Sequence, residues 1–114
     1  MAVPKTYYQS EPTDAGVWPW VAGMDDEVAV DLTPQLGVAE TPTSVTASLV
    51  RLPDVTETDQ VAATASLSGT PTVGGNIVKQ RLIDLVASRV YRLTFFHGPA
   101  ANRRAAGVIV DVSD

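Results

Sequence analysis

The stretch VKQRLIDLVASRVYRLTFF at residues 78–96 decides the fold of this chain. Leu85 and Tyr91 stand six residues apart, and the residues after Tyr91 alternate between polar and apolar. In two-sheet sandwiches such a Leu fills the core where the chain crosses between sheets. The Tyr then begins a central strand, and its hydroxyl bonds backbone exposed at the corner. The stretch therefore predicts a strand that ends in a tyrosine corner made by Leu85 and Tyr91.

A helix is the alternative for the first part of this stretch. Helical spacing is also present, at Val78, Leu82, Leu85 and Val86. Asn76 would cap such a helix, which would stop near Ser88. The pair Gly74-Gly75 before Asn76 and the period-2 pattern from Tyr91 onward favour the strand instead.

Composition favours an all-β class. The chain has 114 residues, the size of one domain, and contains seventeen Val and twelve Thr, which suit a pleated surface. It contains no cysteine, so neither disulfides nor thiolate metal sites contribute. We predict an immunoglobulin-like antiparallel β-sandwich of six to seven strands, with an irregular N-terminal arm.

Turn signals divide the domain into short strands. Besides the corner stretch, strands are predicted at residues 27–32, 44–52, 61–67 and 106–112. A break is expected at residues 68–71, and a tight turn at residues 74–76. A loop at residues 96–102 should join the strand that starts at Tyr91 to the last strand as a hairpin.

Charge is unevenly placed along the chain. The formal net charge is −5, made of −8 over residues 1–60 and +3 over residues 61–114. Because Lys and Arg contacts to phosphate supply most nucleic-acid affinity, an acidic chain is a poor nucleic-acid binder. A polarised chain is suited instead to steering neighbouring protein subunits head to tail. We expect no membrane segment and no signal peptide, since no apolar run has the required length.

Residues 1–25 differ from the rest and are predicted to form a docking arm, with the sandwich domain at residues 26–114. This segment holds four of the seven aromatic residues, Tyr7, Tyr8, Trp18 and Trp20. One hypothesis is that it folds back over an open end of its own sandwich. The other is that these four residues bind a neighbouring subunit, since Trp and Tyr dominate interface hot spots. Docking implies that a domain starting near Glu27 folds without the arm.

The sequence offers little chemistry for catalysis. His97, the one histidine, is predicted to be a solvated loop residue, and Arg103-Arg104 a solvated turn, with a phosphate site as the alternative. The run Asp25-Asp26-Glu27 is interpreted as a solvated strand edge, with Ca²⁺ binding as the alternative. No nucleotide, zinc or nucleophile motif is present, so we predict no enzyme and no cofactor. His97, Arg103 and Arg104 join the arm aromatics as predicted partner-binding residues.

Several stretches resemble a known family. They are DEVAVDLTPQL at residues 26–36, SLSG at 66–69, VKQRL at 78–82, YRLT at 91–94 and NRR at 102–104. Together they resemble small bacteriophage virion proteins of the fiber-tail adaptor type. The resemblance spans about residues 26–114. It implies an Ig-like sandwich on a phage particle, assembled in the host cytoplasm, with other virion proteins as partners in a symmetric assembly of many copies.

Three functions remain open at this stage. The leading hypothesis is an adaptor that joins fibers, tail or neck components to the virion. The first alternative is a decoration protein that binds the capsid shell. The second is a carbohydrate-binding module, which would need Trp18 and Trp20 exposed on a rigid surface.

Overall fold

The computed structural model describes residues 6–8 and 17–113, which form two packed β-sheets. The strands are β1 Thr6–Tyr8, β2 Val17–Val21, β3 Asp26–Asp31, β4 Thr46–Arg51, β5 Val61–Ala62, β6 Leu67–Gly74, β7 Ile77–Leu82, β8 Val90–His97 and β9 Arg104–Ser113. Short 3₁₀ turns lie at Thr33–Gln35, Thr64–Ser66 and Ala100–Asn102. The described part of the chain contains no helix long and apolar enough to cross a bilayer.

The two sheets have different strand orders. One is four-stranded, in the order β1-β3-β7-β6, and the other is five-stranded, in the order β2-β9-β8-β4-β5. Residues that alternate inward along these strands fill one core: Trp20, Val28, Val30, Leu49, Val78, Leu82, Leu93, Phe95, Val108 and Val110. Burying each such Val, Leu or Phe contributes roughly 1.5–3 kcal/mol. The fold is an Ig-like β-sandwich, as predicted, but the described residues form nine strands rather than six to seven, and two of the pairings, β1 with β3 and β2 with β9, are parallel.

The tyrosine corner is confirmed, and the helix alternative is wrong. The strand β7 ends at Leu82, and β8 begins at Val90 in the other sheet. Between them Leu85 is buried in the core. The hydroxyl oxygen of Tyr91 accepts a hydrogen bond of 3.0 Å from the backbone N–H of Val86. This bond satisfies a donor that the crossing between sheets would otherwise leave unpaired.

The hairpin of β8 and β9 is confirmed too, with Tyr91 opposite Val110. It is longer than expected, because Phe96 and His97 still pair with Ala105 and Arg104. The loop therefore begins after His97, and not at residue 96 as predicted.

The predicted strand at 61–67 and the break at 68–71 are wrong. Only Val61–Ala62 and Leu67 are strand there, and β6 continues through the expected break to Gly74. A β-bulge makes this possible, since the register with β7 shifts between Ser68 and Thr72. Gly69 takes φ of +75° inside the bulge, a conformation that glycine adopts readily.

The boundary between a docking arm and a domain at residues 25 and 26 is wrong. Residues Val17–Val21 form β2, which pairs in parallel with β9 from Val17 opposite Ile109 to Val21 opposite Ser113. The segment is therefore one strand of the five-stranded sheet. A chain that starts near Glu27 would lose this strand, so the expectation that it folds alone is reversed.

Candidate interaction surface

Trp18 and Trp20 lie inside the sandwich. They are 4% and 1% exposed, whereas Val17, Pro19 and Val21 between and beside them face outward. Buried rings offer no surface to a partner, so the partner-binding prediction is wrong for both tryptophans. For the same reason they cannot stack on a sugar. The buried tryptophans agree better with the hypothesis that the segment folds back onto its own sandwich. The strand β2 joins a sheet, however, rather than covering an open end.

Tyr7 and Tyr8 belong to β1, which pairs in parallel with β3 at the edge of the four-stranded sheet. Their side chains lie outside the described part of the structure. Their role in partner binding therefore stays a prediction.

His97 is a core residue and not a solvated loop residue. It is 0% exposed, and its Nε2 lies 2.6 Å from Oε1 of Gln35. The Gln35 amide nitrogen donates to the carbonyl of Ala105 at 2.8 Å, which fixes the orientation of the amide. The histidine Nε2 must therefore carry the proton that is donated to Gln35. Burial lowers the pKa of His97, and the positive charge of Arg104 lowers it further. The partner-binding prediction is wrong for His97.

Arg104 forms a two-pronged ion pair with Glu40. Its two terminal nitrogens lie 2.9 and 2.6 Å from the two carboxylate oxygens, and one of them also donates to the carbonyl of Gln35. The hydrogen bond from Arg104 lowers the pKa of Glu40 to about 2. Arg104 therefore fastens the β3–β4 connection to the hairpin end, and it begins β9 rather than lying in a solvated turn. Its role in partner binding stays a prediction.

Arg103 is exposed, but it also bonds within the chain. One terminal nitrogen donates to the carbonyls of Ser44 and Gly98 at 2.6 and 2.8 Å. The other donates to the Thr46 hydroxyl at 3.2 Å. A contact between Arg103 and a partner stays a prediction.

A second ionic cluster holds the β4–β5 connection against the tyrosine corner. Arg89 bonds Glu57 and lies 3.4 Å from Asp54, while Arg51 lies 3.3 Å from Glu57. The hydrogen bond from Arg89 lowers the pKa of Glu57, and the Thr56 hydroxyl lowers that of Asp54. Acids from the first half of the chain thus pair with bases from the second half. Much of the charge asymmetry predicted to steer subunits is paired inside one molecule.

The carboxylates of Asp25-Asp26-Glu27 do not converge on an ion. Asp25 lies 2.6 Å from Arg81, and the alternation along β3 puts Asp26 and Glu27 on opposite faces. Among residues 6–8 and 17–113, no group of three or more His, Cys, Asp or Glu could hold a metal. The calcium alternative has no support in this geometry.

The outer face of the five-stranded sheet carries few charges. Its residues alternate with the inward ones of β2, β9, β8 and β4, and are Val17, Pro19, Val21, Thr46, Ser48, Val50, Arg92, Thr94, Phe96, Ala105, Gly107, Ile109 and Asp111. We call this set the neutral face, because only Arg92 and Asp111 are charged. Val17, Val21 and Phe96 are 54%, 51% and 37% exposed.

The outer face of the four-stranded sheet is different. It carries Glu27, Asp31, Lys79 and Arg81, which we call the charged face. Glu27 stands directly opposite Arg81 in the ladder between β3 and β7. Such alternation of buried apolar and outward charged residues is the usual pattern of a sheet with one solvated side.

The sequence of β9 contains a pattern that indicates the neutral face. It is easily overlooked, because Ala106, Val108 and Val110 also fit a simple alternation of inward and outward residues. The run AAGVIV at residues 105–110 is apolar at every position rather than at every second one. A continuous apolar run of this length is typical of a strand covered on both faces.

Comparisons with known proteins report on the fold alone. No protein-family model and no curated protein matches the chain. Among solved structures, the chain is similar to the crystal structure of the Titin M10–Obscurin like 1 Ig complex. The identity is 19% and the TM-score 0.44, with 85% of this chain and 84% of that chain covered.

Proposed function

We propose that this chain is a non-enzymatic structural protein of a bacteriophage particle, an adaptor that joins fibers, tail or neck components to the virion. The observation that carries the proposal is the neutral face, a sheet surface with two charges among its thirteen residues. The resemblance of residues 26–36, 66–69, 78–82, 91–94 and 102–104 to phage adaptor proteins supplies the biological setting.

The composition of the neutral face supports docking on protein. Depletion of charge together with exposed aliphatic and aromatic residues is the signature of an interface core. Val17 and Phe96 are such residues, and the half-buried Ile109 lies on the strand between theirs. An uncharged partner surface would complement them. We expect binding that changes little up to roughly 1 M salt, since screening weakens only charged contacts.

The size of the neutral face fits an assembly of many copies. Four long strands about 4.8 Å apart and about six residues long span roughly 20 by 20 Å, or about 400 Å². A stable two-protein interface uses about 800 Å² per partner. One face therefore supplies about half of a stable contact, and repeated copies in a symmetric particle would strengthen it through multivalency.

The test uses two matched substitutions in the phage that encodes the chain. Ile109→Lys places a charge on the neutral face, and Ile77→Lys places the same charge on the outer side of β7. Purified particles are analysed by quantitative mass spectrometry. We expect the parent and Ile77→Lys to be incorporated, and Ile109→Lys to fall at least tenfold. Absence of the parent chain from particles, or equal incorporation of the two variants, would overturn the proposal.

The same measurement separates the adaptor from a capsid decoration protein. A copy number of a few to a few dozen per particle fits a neck or tail position. A copy number near that of the major shell protein would instead indicate a capsid decoration protein.

A further inference from the structure

An open slot lies between the two sheets, where β4 of one sheet approaches β6 of the other. Its volume is about 220 Å³. The residues used below are Val45, Ala47, Leu67, Thr70, Pro71 and Gln80, and none of the residues that line the slot is charged. The slot shares only Thr46 with the neutral face, which lies on the outside of the five-stranded sheet.

The bulge in β6 forms one wall of the slot. Ser68 pairs with Arg81 and Thr72 pairs with Lys79, so three residues of β6 stand opposite Gln80 alone. These three, Gly69, Thr70 and Pro71, therefore leave the regular ladder. Because β6 is also the edge strand of its sheet, no described strand covers them on the other side.

Gln80, one of the residues that line the slot, has an unused side-chain acceptor. It is 1% exposed, and its amide nitrogen donates to the carbonyls of Ser68, Gly69 and Arg81 at 3.3, 3.2 and 2.9 Å. These bonds fix which way the amide points. The carbonyl oxygen Oε1 is buried and has no hydrogen-bond partner among the described residues. A buried acceptor without a donor is unfavourable, so a bound N–H or O–H group would be stabilised there.

The edge of β4 forms the opposite wall. The strand β5 pairs with β4 only at Val50 and Arg51, and the carbonyl of Leu49 accepts from the N–H of Ala63 at 2.9 Å. Backbone groups of alternate residues in a strand point to the same side. The N–H and C=O of Ala47 therefore face the side on which no described strand pairs with them.

We propose that this slot binds a short, extended, uncharged segment of another polypeptide. The segment would pair its backbone with Ala47 on β4 and donate one hydrogen bond to Oε1 of Gln80. Small apolar side chains of the segment would contact Val45, Leu67 and Pro71. Addition of an extended peptide to a sheet edge is a common way in which domains recognise peptides.

Other occupants fit the slot less well. A small molecule confined to the slot would leave the N–H and C=O of Ala47 on the edge of β4 unpaired, whereas an extended backbone pairs with both. A second folded copy presents its strands within sheets, and these are too wide to enter a slot recessed between β4 and β6. Residues 9–16 of the same chain join β1 and β2, which lie at the edges of the sheets farthest from the slot. A separate, unfolded segment meets these restrictions.

The experiment starts from a library of random twelve-residue peptides selected against the full chain. We expect the selected peptides to be uncharged and rich in β-branched residues. One of them is then titrated into the ¹⁵N-labelled chain. Binding in the slot should shift the amide signals of Val45 and Ala47 and the side-chain amide of Gln80, and leave Ile109 on the neutral face unchanged.

Two proline substitutions provide the matched pair. Ala47→Pro removes the N–H that faces the slot and leaves the ladder with β8 intact, so it should weaken the selected peptide at least tenfold. Ala62→Pro removes an outward N–H from the edge strand β5, outside the slot, and should bind like the parent. Thermal unfolding of both variants checks that they fold.

Three results would overturn the proposal. They are the failure to select any peptide that binds, shifts confined to residues outside the slot, and equal binding by Ala47→Pro and the parent. Concentration-dependent shifts of the same amides without peptide would assign the slot to a second copy, which also contradicts the proposal. Because the slot and the neutral face are tested by different variants, either proposal can fail without the other.

Discussion

The two outer faces of this sandwich differ although both sheets contribute to the same core. On the charged face, Glu27 and Arg81 stand opposite one another and Lys79 lies beside them. On the neutral face, the corresponding outward positions hold Ile109, Phe96 and other uncharged residues. The fold requires only the inward residues, so the outward ones are open to selection for other roles. The proposed docking on the neutral face rests on this difference between the faces.

The largest expected effect concerns whether β2 belongs to the neutral face at all. Trp20→Ala should lower the free energy of unfolding by about 3–5 kcal/mol, because it removes a large buried ring. Urea unfolding followed by fluorescence of Trp18 measures it. Val21→Ala, half exposed on the same strand, is the control and should stay within about 0.5 kcal/mol. A loss below about 1 kcal/mol for Trp20→Ala would mean that β2 is not packed into the sandwich. The neutral face would then consist of β9, β8 and β4 alone.

The second effect concerns the tyrosine corner, where the chain crosses from the sheet with the charged face to the sheet with the neutral face. Tyr91→Phe removes the acceptor for the Val86 N–H and should cost about 1–2 kcal/mol. Val86→Ala keeps that N–H, and its exposed side chain contributes little, so it serves as the control. Equal unfolding midpoints in urea for both variants would contradict the assigned hydrogen bond.

The third effect is a loss of stability in acid at the end of the neutral face near Phe96. Burial lowers the pKa of His97 in the folded state, so the unfolded chain binds the proton first as the pH falls through about 6.5. Stability should therefore decrease from pH 7.5 to 5.5. His97→Gln should flatten that part of the profile, measured by urea unfolding at several pH values. A parent profile that is flat in this window would refute the buried neutral histidine.

Glu40 should add a second decrease at lower pH. Its pKa of about 2 in the folded state lies below the ordinary value of 4.5, so its contribution is present above pH 4.5 and is lost toward pH 2. Glu40→Gln should remove this step but not the one near pH 6.5. If Glu40→Gln leaves the acid profile unchanged, the ion pair with Arg104 does not contribute to stability.

The smallest effect is expected from the substitutions that separate the faces most directly. Ile109→Lys and Ile77→Lys both change partly buried outward residues, so their unfolding free energies should agree within about 0.5 kcal/mol. Their incorporation into particles should nevertheless differ. A large difference in stability would show that Ile109 is needed for folding, and the absence of charge at this position would then say nothing about contact.

Local patterns sufficed for the parts of the fold made by neighbours in sequence. The corner at Leu85 and Tyr91 and the hairpin of β8 and β9 depend on residues a few positions apart. The strand β2 pairs with residues about 90 positions away, and no local signal specifies that pairing. Its alternation of inward Trp18 and Trp20 with outward Pro19 covers only five residues, and a proline inside such a run is atypical of a central strand. Proline is compatible with β2 because β2 is an edge strand.

The contacts of His97 and Arg104 were harder to predict from the sequence for a similar reason. His97 precedes Gly98-Pro99, which is typical of a loop, yet it is buried against Gln35, 62 positions away. Arg104 is likewise held by Glu40, 64 positions away. Sequence alone identified these as polar residues without revealing that their partners lie within the same chain.

The parallel pairing of β2 with β9 has a consequence for how the protein is made. Val17 is added to the chain about 90 residues before its pairing partner Ile109. At synthesis rates of about 5–20 residues per second, that interval is roughly 5 to 20 s. Throughout it, Trp18 and Trp20 lack the strand that covers them in the finished sheet. The nascent chain therefore carries two large apolar rings before their strand can pair, and a folding helper that shields them should raise the yield of native protein.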